Sequence, residues 1–157
     1  MPLFESSQIF ARPSAEVFDF FSRPANLLAA SPPELHLRLD EAPERLGPGA
    51  RVTVRGRRWG VPHRIVTEVT AFEPGVLFVE EQRLGPFRRW VHTHRFDVVA
   101  DGTRVSETID FEPPGGLLGL TVTAASVLRD LEWAFAYRKK RLEELLGPAP
   151  RSPEARG

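Results

Sequence analysis

The chain has 157 residues, with 21 basic and 21 acidic side chains, zero formal net charge and no cysteine. That length suits one domain able to bury roughly two thirds of its unfolded surface without covalent staples. The charge balance removes any net field for drawing in nucleic acid or an anionic membrane, no run of about 18 apolar residues could span a bilayer, and disulfides, thiolate catalysis and cysteine-based metal sites are all excluded.

Nineteen of the basic residues are Arg and only two are Lys, a bias expected of a GC-rich bacterial genome. The opening Met1 to Glu5 carries no basic region followed by an apolar run, so a cytoplasmic address is the expectation. Leu3 to Phe10 reads as a first strand ended by Pro13. Ser14 is placed to cap a short helix carrying Val17, Phe18, Phe20 and Phe21, and Arg23-Pro24 interrupts it. A second short helix, about Ala25 to Ala30, stops before Pro32-Pro33.

From Leu35 the hydrophobic period changes to two, with Leu35, Leu37 and Leu39 alternating with His36, Arg38 and Asp40. Further strands are expected at Ala50 to Arg57, Val61 to Phe72, Val76 to Arg83, Arg88 to Val99 and Thr103 to Glu112. Gly47-Pro48-Gly49, Gly56 to Gly60, Pro74-Gly75, Gly85-Pro86 and Asp101-Gly102 separate them, which predicts an antiparallel meander. Pro113 to Gly116 ends the sheet. One long helix, Leu117 to Leu146, roughly 40 Å long, is predicted to follow, with Leu120, Ala124, Val127, Leu131, Ala134, Phe135, Leu142 and Leu145 as its apolar stripe. Only the curved sheet is large enough to cover that stripe. The domain is expected over residues 1 to 146, with 147 to 157 as a disordered tail.

Three stretches carry a family resemblance: Ala11 to Phe18 leading into Phe20-Phe21, Arg23 to Leu27 with Thr70 to Gly75, and the Trp90 to Phe96 strand followed by Asp101 to Val105. Together with the element order they resemble the START/Bet v1-like superfamily, the SRPBCC or polyketide cyclase/dehydrase-like group. The resemblance implies an α+β helix-grip fold, a curved seven-strand antiparallel sheet wrapped on a long C-terminal helix around a hydrophobic cavity. These are scaffold features and imply no particular reaction.

The strand Arg88 to Val99 is the most informative segment. Its even positions are Trp90, His92, His94, Phe96 and Val98, so the parity that turns the apolar residues inward takes both histidines with it. Buried imidazoles need hydrogen-bond partners or a cavity. A turn at Asp101-Gly102 sets Phe96 opposite Glu107, Val98 opposite Val105, His94 opposite Ile109 and His92 opposite Phe111, all on one face. The same reasoning about Gly85-Pro86 turns Leu77, Val79, Glu81 and Arg83 inward, with Glu81 beside Trp90. Val61 to Phe72 stays open between an odd inward set (Val61, His63, Ile65, Val69) and an even one (Arg64, Val66, Glu68, Phe72).

The expected ligand-binding wall is therefore Leu77, Val79, Glu81, Arg83, Trp90, His92, His94, Phe96, Glu107 and Ile109 of the sheet with Val127, Leu131 and Phe135 of the helix. Against a bound ligand stands the plain alternative that each histidine merely bonds a carbonyl or carboxylate. No metal and no cofactor is expected, since two His at i and i+2 find a third ligand only in Glu81 or Glu107. Arg138 reads as a snorkelling surface residue, and Arg55, Arg57, Arg58 and Trp59 as a solvated loop. The expected function is binding or transport of a small hydrophobic ligand, such as a lipid, quinone or aromatic polyketide. The alternative is a cyclase/dehydratase-type enzyme with His92 or His94 as general base, Glu107 as a further acid/base candidate and Arg83 stabilising an enolate. No nucleic-acid partner and no integral membrane segment are expected, and the oligomeric state is left open.

Overall fold

The computed structural model describes residues 2 to 147, so most of the expected tail lies outside the described residues. Strand β1 (Leu3–Phe10) leads into helices α1 (Ser14–Phe21) and α2 (Pro24–Ala29), then a 3-10 turn at Pro33–Leu35. The meander follows as β2 (Arg38–Glu41), β3 (Arg51–Arg58), β4 (Val61–Glu73), β5 (Leu77–Leu84), β6 (Phe87–Val99) and β7 (Gly102–Pro114). A 3-10 turn at Leu118–Leu120 precedes the last helix, α3 (Ala124–Leu146). The strands form one antiparallel sheet in the order β1-β7-β6-β5-β4-β3-β2, which curls around α3. No helix among the described residues is long and apolar enough to cross a membrane.

Three elements depart from expectation for local reasons. Ser14 does not cap α1, because the Pro13 carbonyl already accepts from the Glu16 and Val17 amides. The strand predicted from Leu35 starts only at Arg38. Pro32 and Pro33, with φ preset near helical values, favour a 3-10 turn, and His36 leaves it in the left-handed region at φ 50°. The last helix begins at Ala124 rather than Leu117, where Thr123 and Ser126 form a reciprocal capping box that fixes its first turn. Leu117 and Leu120 stand outside it, strongly exposed. The 23 residues of α3 span about 35 Å and bury Val127, Leu131, Phe135, Arg138, Leu142 and Leu146 on one stripe.

Registers decide which side chains enter the grip. Between β6 and β7 the turn is one step tighter than predicted, with Val99 paired to Gly102, so Phe96 lies opposite Val105, His94 opposite Glu107 and His92 opposite Ile109. A slip of two residues preserves the face. The β5–β6 connection is the correction: Phe78 pairs with His94 and Glu80 with His92. Phe78, Glu80 and Gln82 therefore share the inner face, and Leu77, Val79, Glu81 and Arg83 turn to the outer one. A slip of one residue exchanges the faces. On β4 both candidate parities hold in part, because the register shifts between Val69 and Ala71. His63, Ile65 and Thr67 face the grip before that bulge, and Phe72 packs on Phe18 after it. Val98, assigned inward, is exposed at the sheet's end.

The interior comprises two apolar clusters. One gathers Phe10, Phe18, Phe21, Phe78, Phe96 and Leu142 beneath α1 and α2. The other gathers Phe4, Ile109, Phe111, Val127, Leu131 and Phe135, with Trp59, Phe87 and Trp90 packed against it. Gly102 is where β7 meets the end of β1, and a Cβ there would lie 1.9 Å from the Phe10 carbonyl oxygen.

Candidate functional site

Between the two apolar clusters runs a layer of buried ionisable groups. Along β6, His94 and His92 lie between Phe96 of one cluster and Trp90 beside the other; along β7, Glu107 lies between Val105 and Ile109; along α3, Arg138 lies between Phe135 and Leu142. Glu107 is the hub. Its Oε1 accepts from Arg138 Nη2 at 2.6 Å and from His92 Nε2 at 3.0 Å. His94 Nδ1 is also 3.0 Å from that oxygen, too oblique for an aligned hydrogen bond, while its Nε2 lies 3.3 Å from Glu80 Oε2. The rings stack in a column, Phe78 on His94 at 4.3 Å and His94 on His92 at 3.9 Å. The Arg138 guanidinium lies over Phe135 at 5.1 Å and Phe21 at 5.8 Å.

Burial and neighbouring charge oppose one another in this layer. Burial pushes the His92 imidazole down to about 4, with the neighbouring His94 charge acting in the same direction, so it is neutral at pH 7. Burial also opposes charge on His94, but its contacts with Glu107 and Glu80 outweigh this and raise its pKa. For Glu107, burial is overcome chiefly by Arg138 and then by the two histidines, and the carboxyl stays well below the usual range. Glu80 is lowered on balance, with the His94 hydrogen bond offsetting burial. Two carboxylates, Glu107 and Glu80, thus face the Arg138 guanidinium and the paired imidazoles. Glu80, His92 and His94 also come close enough to suggest a metal triad, with ligand atoms within 4.8 Å of one another. The two imidazole planes stack at 26°, so their in-plane lone pairs run side by side rather than converging, and Arg138 already supplies the positive charge.

The cavity lies beside this layer, in the second apolar cluster, between α3 and the inner faces of β3 to β6. It measures about 260 Å³. Trp59, Phe87 and Trp90 line it from the sheet, and Leu131, Trp133 and Ala134 from α3. Its rim is the β3–β4 hairpin, where Trp59 (φ 54°) and Gly60 (φ 72°) form a two-residue turn of positive φ. A bulky side chain is strained there, and the Trp59 ring is held by Phe87 at 5.8 Å and His63 at 5.5 Å. Arg58 then ties the hairpin to α3, with Nη2 2.6 Å from Asp130 Oδ1 and the guanidinium over Trp133. Of the polar lining groups, His63 contacts the Arg58 carbonyl and Gln82 donates to the Phe87 carbonyl. The Thr67 hydroxyl has no protein partner among the described residues.

The sequence pattern of polyketide cyclase / dehydrase and lipid transport proteins matches residues 1–145. The chain belongs to that family. Its membership in the SRPBCC, START/Bet v1-like group agrees with the helix-grip architecture. No curated protein matches the sequence. Among solved structures, protein CV1439 from Chromobacterium violaceum superposes with a TM-score of 0.70 at 15% identity, over 94% of this chain and 98% of that one. The major latex-like protein 151 of Panax ginseng gives 0.65 at 17% identity, covering 93% and 97%. The Zhui aromatase/cyclase of Streptomyces sp. R1128 gives 0.66 at 14%, covering 92% and 90%. At these identities the likeness is one of fold.

Within this family fold the expected wall divides in four. Trp90, Val127 and Leu131 line the cavity. His92, His94 and Glu107 come together as inferred, but in the polar layer, and Phe96, Ile109 and Phe135 belong to the packed core. Leu77, Val79, Glu81 and Arg83 are on the outer face, where Arg83 pairs with Glu68 at 2.9 Å, so the enolate role drawn for it has no basis. Arg138 is corrected from a surface residue to a buried anchor for Glu107. The Arg55 to Trp59 cluster is no solvated loop either: Arg55 pairs with Asp40, Arg58 with Asp130, and Trp59 lines the cavity. Glu80 and Gln82 were missed through the register slip. His63 and Ile65 belonged to the odd parity left open on β4.

Proposed function

We propose that this protein binds a compact, largely apolar ligand bearing a ring system in the cavity between α3 and the β3–β6 face. The observation that carries the reading is the cavity itself, its wall built from Trp59, Phe87, Trp90 and Trp133. Its volume falls just below the ~300–1,000 Å³ of drug-sized ligand sites, which suits a small fused-ring molecule better than a two-chain lipid. Burial of apolar surface at about 25 cal/mol per Å² drives the affinity, and the free Thr67 hydroxyl offers one point of polar recognition. Binding is favoured over proton abstraction because His92 and His94, the bases a cyclase would need, are engaged with Glu107 and Glu80 outside the cavity wall.

The test is titration with the fluorescent neutral probe N-phenyl-1-naphthylamine, using wild type and Ala134→Phe. Ala134 lines the cavity from α3, so the added ring fills the ligand's space. The expected result is saturable binding by the wild type, weakened at least ~10-fold in the variant while its circular dichroism is unchanged. Binding that is absent in the wild type, or indifferent to the substitution, sinks the reading.

A further inference from the structure

Leu37 lines the apolar cavity, and it also lines a second, wider groove of about 670 Å³ between the α2–β2 segment and the C-terminal half of α3. One side chain therefore partitions two spaces of different character. On the cavity side α3 presents Trp133 and Ala134; on the groove side it presents Tyr137, Lys140, Arg141 and Glu144. These positions recur at three- and four-residue steps, so they form one continuous helical face passing from aromatic to cationic over about 10 Å. Arg141 is matched by Glu144 at 2.8 Å. Lys140 has no charged or hydrogen-bonded partner among the described residues, leaving its ammonium as the unmatched charge of the groove.

The partition is built to be displaced. Leu37 lies in neither helix nor strand, between the left-handed His36 and the first residue of β2. The absence of a side chain at Gly56 lets it seat: a Cβ at Gly56 would lie 2.6 Å from Leu37 Cδ2. A leucine on an irregular segment is held by packing alone, so a ligand group can replace it without breaking a backbone hydrogen-bond ladder.

Building on the binding function proposed above, we infer that the ligand is an amphiphile whose ring system fills the cavity, whose tail passes Leu37, and whose terminal anionic group sits in the groove beside Lys140. A carboxylate is the simplest such group. The groove is thus a second subsite of the same binding site, and it selects by charge where the cavity selects by shape.

The experiment compares two probes on the full chain: a naphthalene carrying an alkyl tail of about 10 Å that ends in a carboxylate, and the same molecule ending in a primary alcohol. Both are titrated by tryptophan quenching against wild type, Lys140→Glu and Leu37→Trp. The inference expects Lys140→Glu to weaken the carboxylate at least ~5-fold and leave the alcohol within about twofold, as charge reversal at an exposed pair allows. It expects Leu37→Trp, which thickens the partition, to weaken both tailed probes by a clearly larger factor than tail-less N-phenyl-1-naphthylamine, which meets only the cavity side of that residue. Equal response of both tailed probes to Lys140→Glu overturns the charged subsite. Tailed probes weakened no more than the tail-less one by Leu37→Trp overturn the passage. Failure of N-phenyl-1-naphthylamine to bind wild type overturns the cavity reading beneath it.

Discussion

Arg138→Met leaves Glu107 in place and removes the cation 2.6 Å from its carboxylate. Their side chains are only 11% and 8% exposed, so solvent cannot replace the lost partner. Removing one member of a buried pair costs about 3–5 kcal/mol, because the other charge is left desolvated. Glu107 keeps His92 and His94 at 3.0 Å, which places the loss at the lower end of that range. The guanidinium's positions over Phe135 and Phe21 add about 1 kcal/mol, partly recovered by the methionine's own contacts. The expected loss is therefore about 3–4 kcal/mol, a large part of the ~5–15 kcal/mol stability of an ordinary domain. Urea denaturation at pH 7, followed by tryptophan fluorescence, measures it, and the double variant Glu107→Gln/Arg138→Met closes the cycle. With the buried charge gone, the double variant should be more stable than Arg138→Met alone by about 2 kcal/mol. A single-variant loss below about 1 kcal/mol, the range of an exposed pair, would refute a desolvated ionic layer.

The layer also sets a pH profile. His92 is depressed from an unfolded value near 6.5 to about 4, so the unfolded chain binds the extra proton first and the stability tied to its neutral form is lost as pH falls between those values. At ~1.4 kcal/mol per pH unit this amounts to about 3 kcal/mol, and urea midpoints between pH 7 and 4 should decline more steeply in wild type than in His92→Phe. The lowered Glu80 and Glu107 contribute stability above about 4.5 that is lost only as pH falls through their folded values, so both proteins should still weaken in stronger acid. His94 has the opposite sign: its raised pKa contributes fully below about 6.5 and is lost as pH rises through the folded value, which a His94→Phe variant should abolish on the alkaline limb. Because His92 does not line the cavity, His92→Phe should leave N-phenyl-1-naphthylamine affinity within about twofold at pH 7; a tenfold change would place the imidazole at the ligand after all. Gly102→Ala should cost more than ~2 kcal/mol in thermal or urea unfolding, since no Cβ fits 1.9 Å from the Phe10 carbonyl; a near-neutral effect would mean the β1 end yields freely.

The sheet was legible because its turns are marked by glycine and proline and its strands alternate over many residues. What could not be read was parity wherever a connection held an odd residue. Gly85-Pro86 shows this: a slip of one step exchanged Glu81 and Arg83 for Glu80 and Gln82, and turned Leu77 and Val79 out of the inferred wall with them. The slip of two at Asp101-Gly102 cost nothing, since His92, His94 and Glu107 kept their face. On β4 the bulge near Thr70 makes both parities correct in turn, a state no single period describes. Arg138 was misread for another reason. A lone arginine at the edge of an apolar stripe announces burial only if its carboxylate partner is known, and Glu107 is 31 residues away.

The separation of polar layer from cavity bears on how this family fold supports function. A cavity weakens a core, because its lining atoms lack partners on one side. Here β5 and β6, which help wall it, and the adjoining β7 are tied to α3 one layer further in by Glu80, His92, His94, Glu107 and Arg138, groups that meet only when register and helix position are correct together. A slip of one residue in any of these strands would bury unpaired charges, at a cost of several kcal/mol. The ionic layer thus holds the frame, leaving the Leu37 segment free to yield as a ligand enters. On this reading, substitutions in the layer change stability and its pH dependence, and substitutions at Ala134, Leu37 or Lys140 change affinity; a variant that moved both together would show that the two are one site.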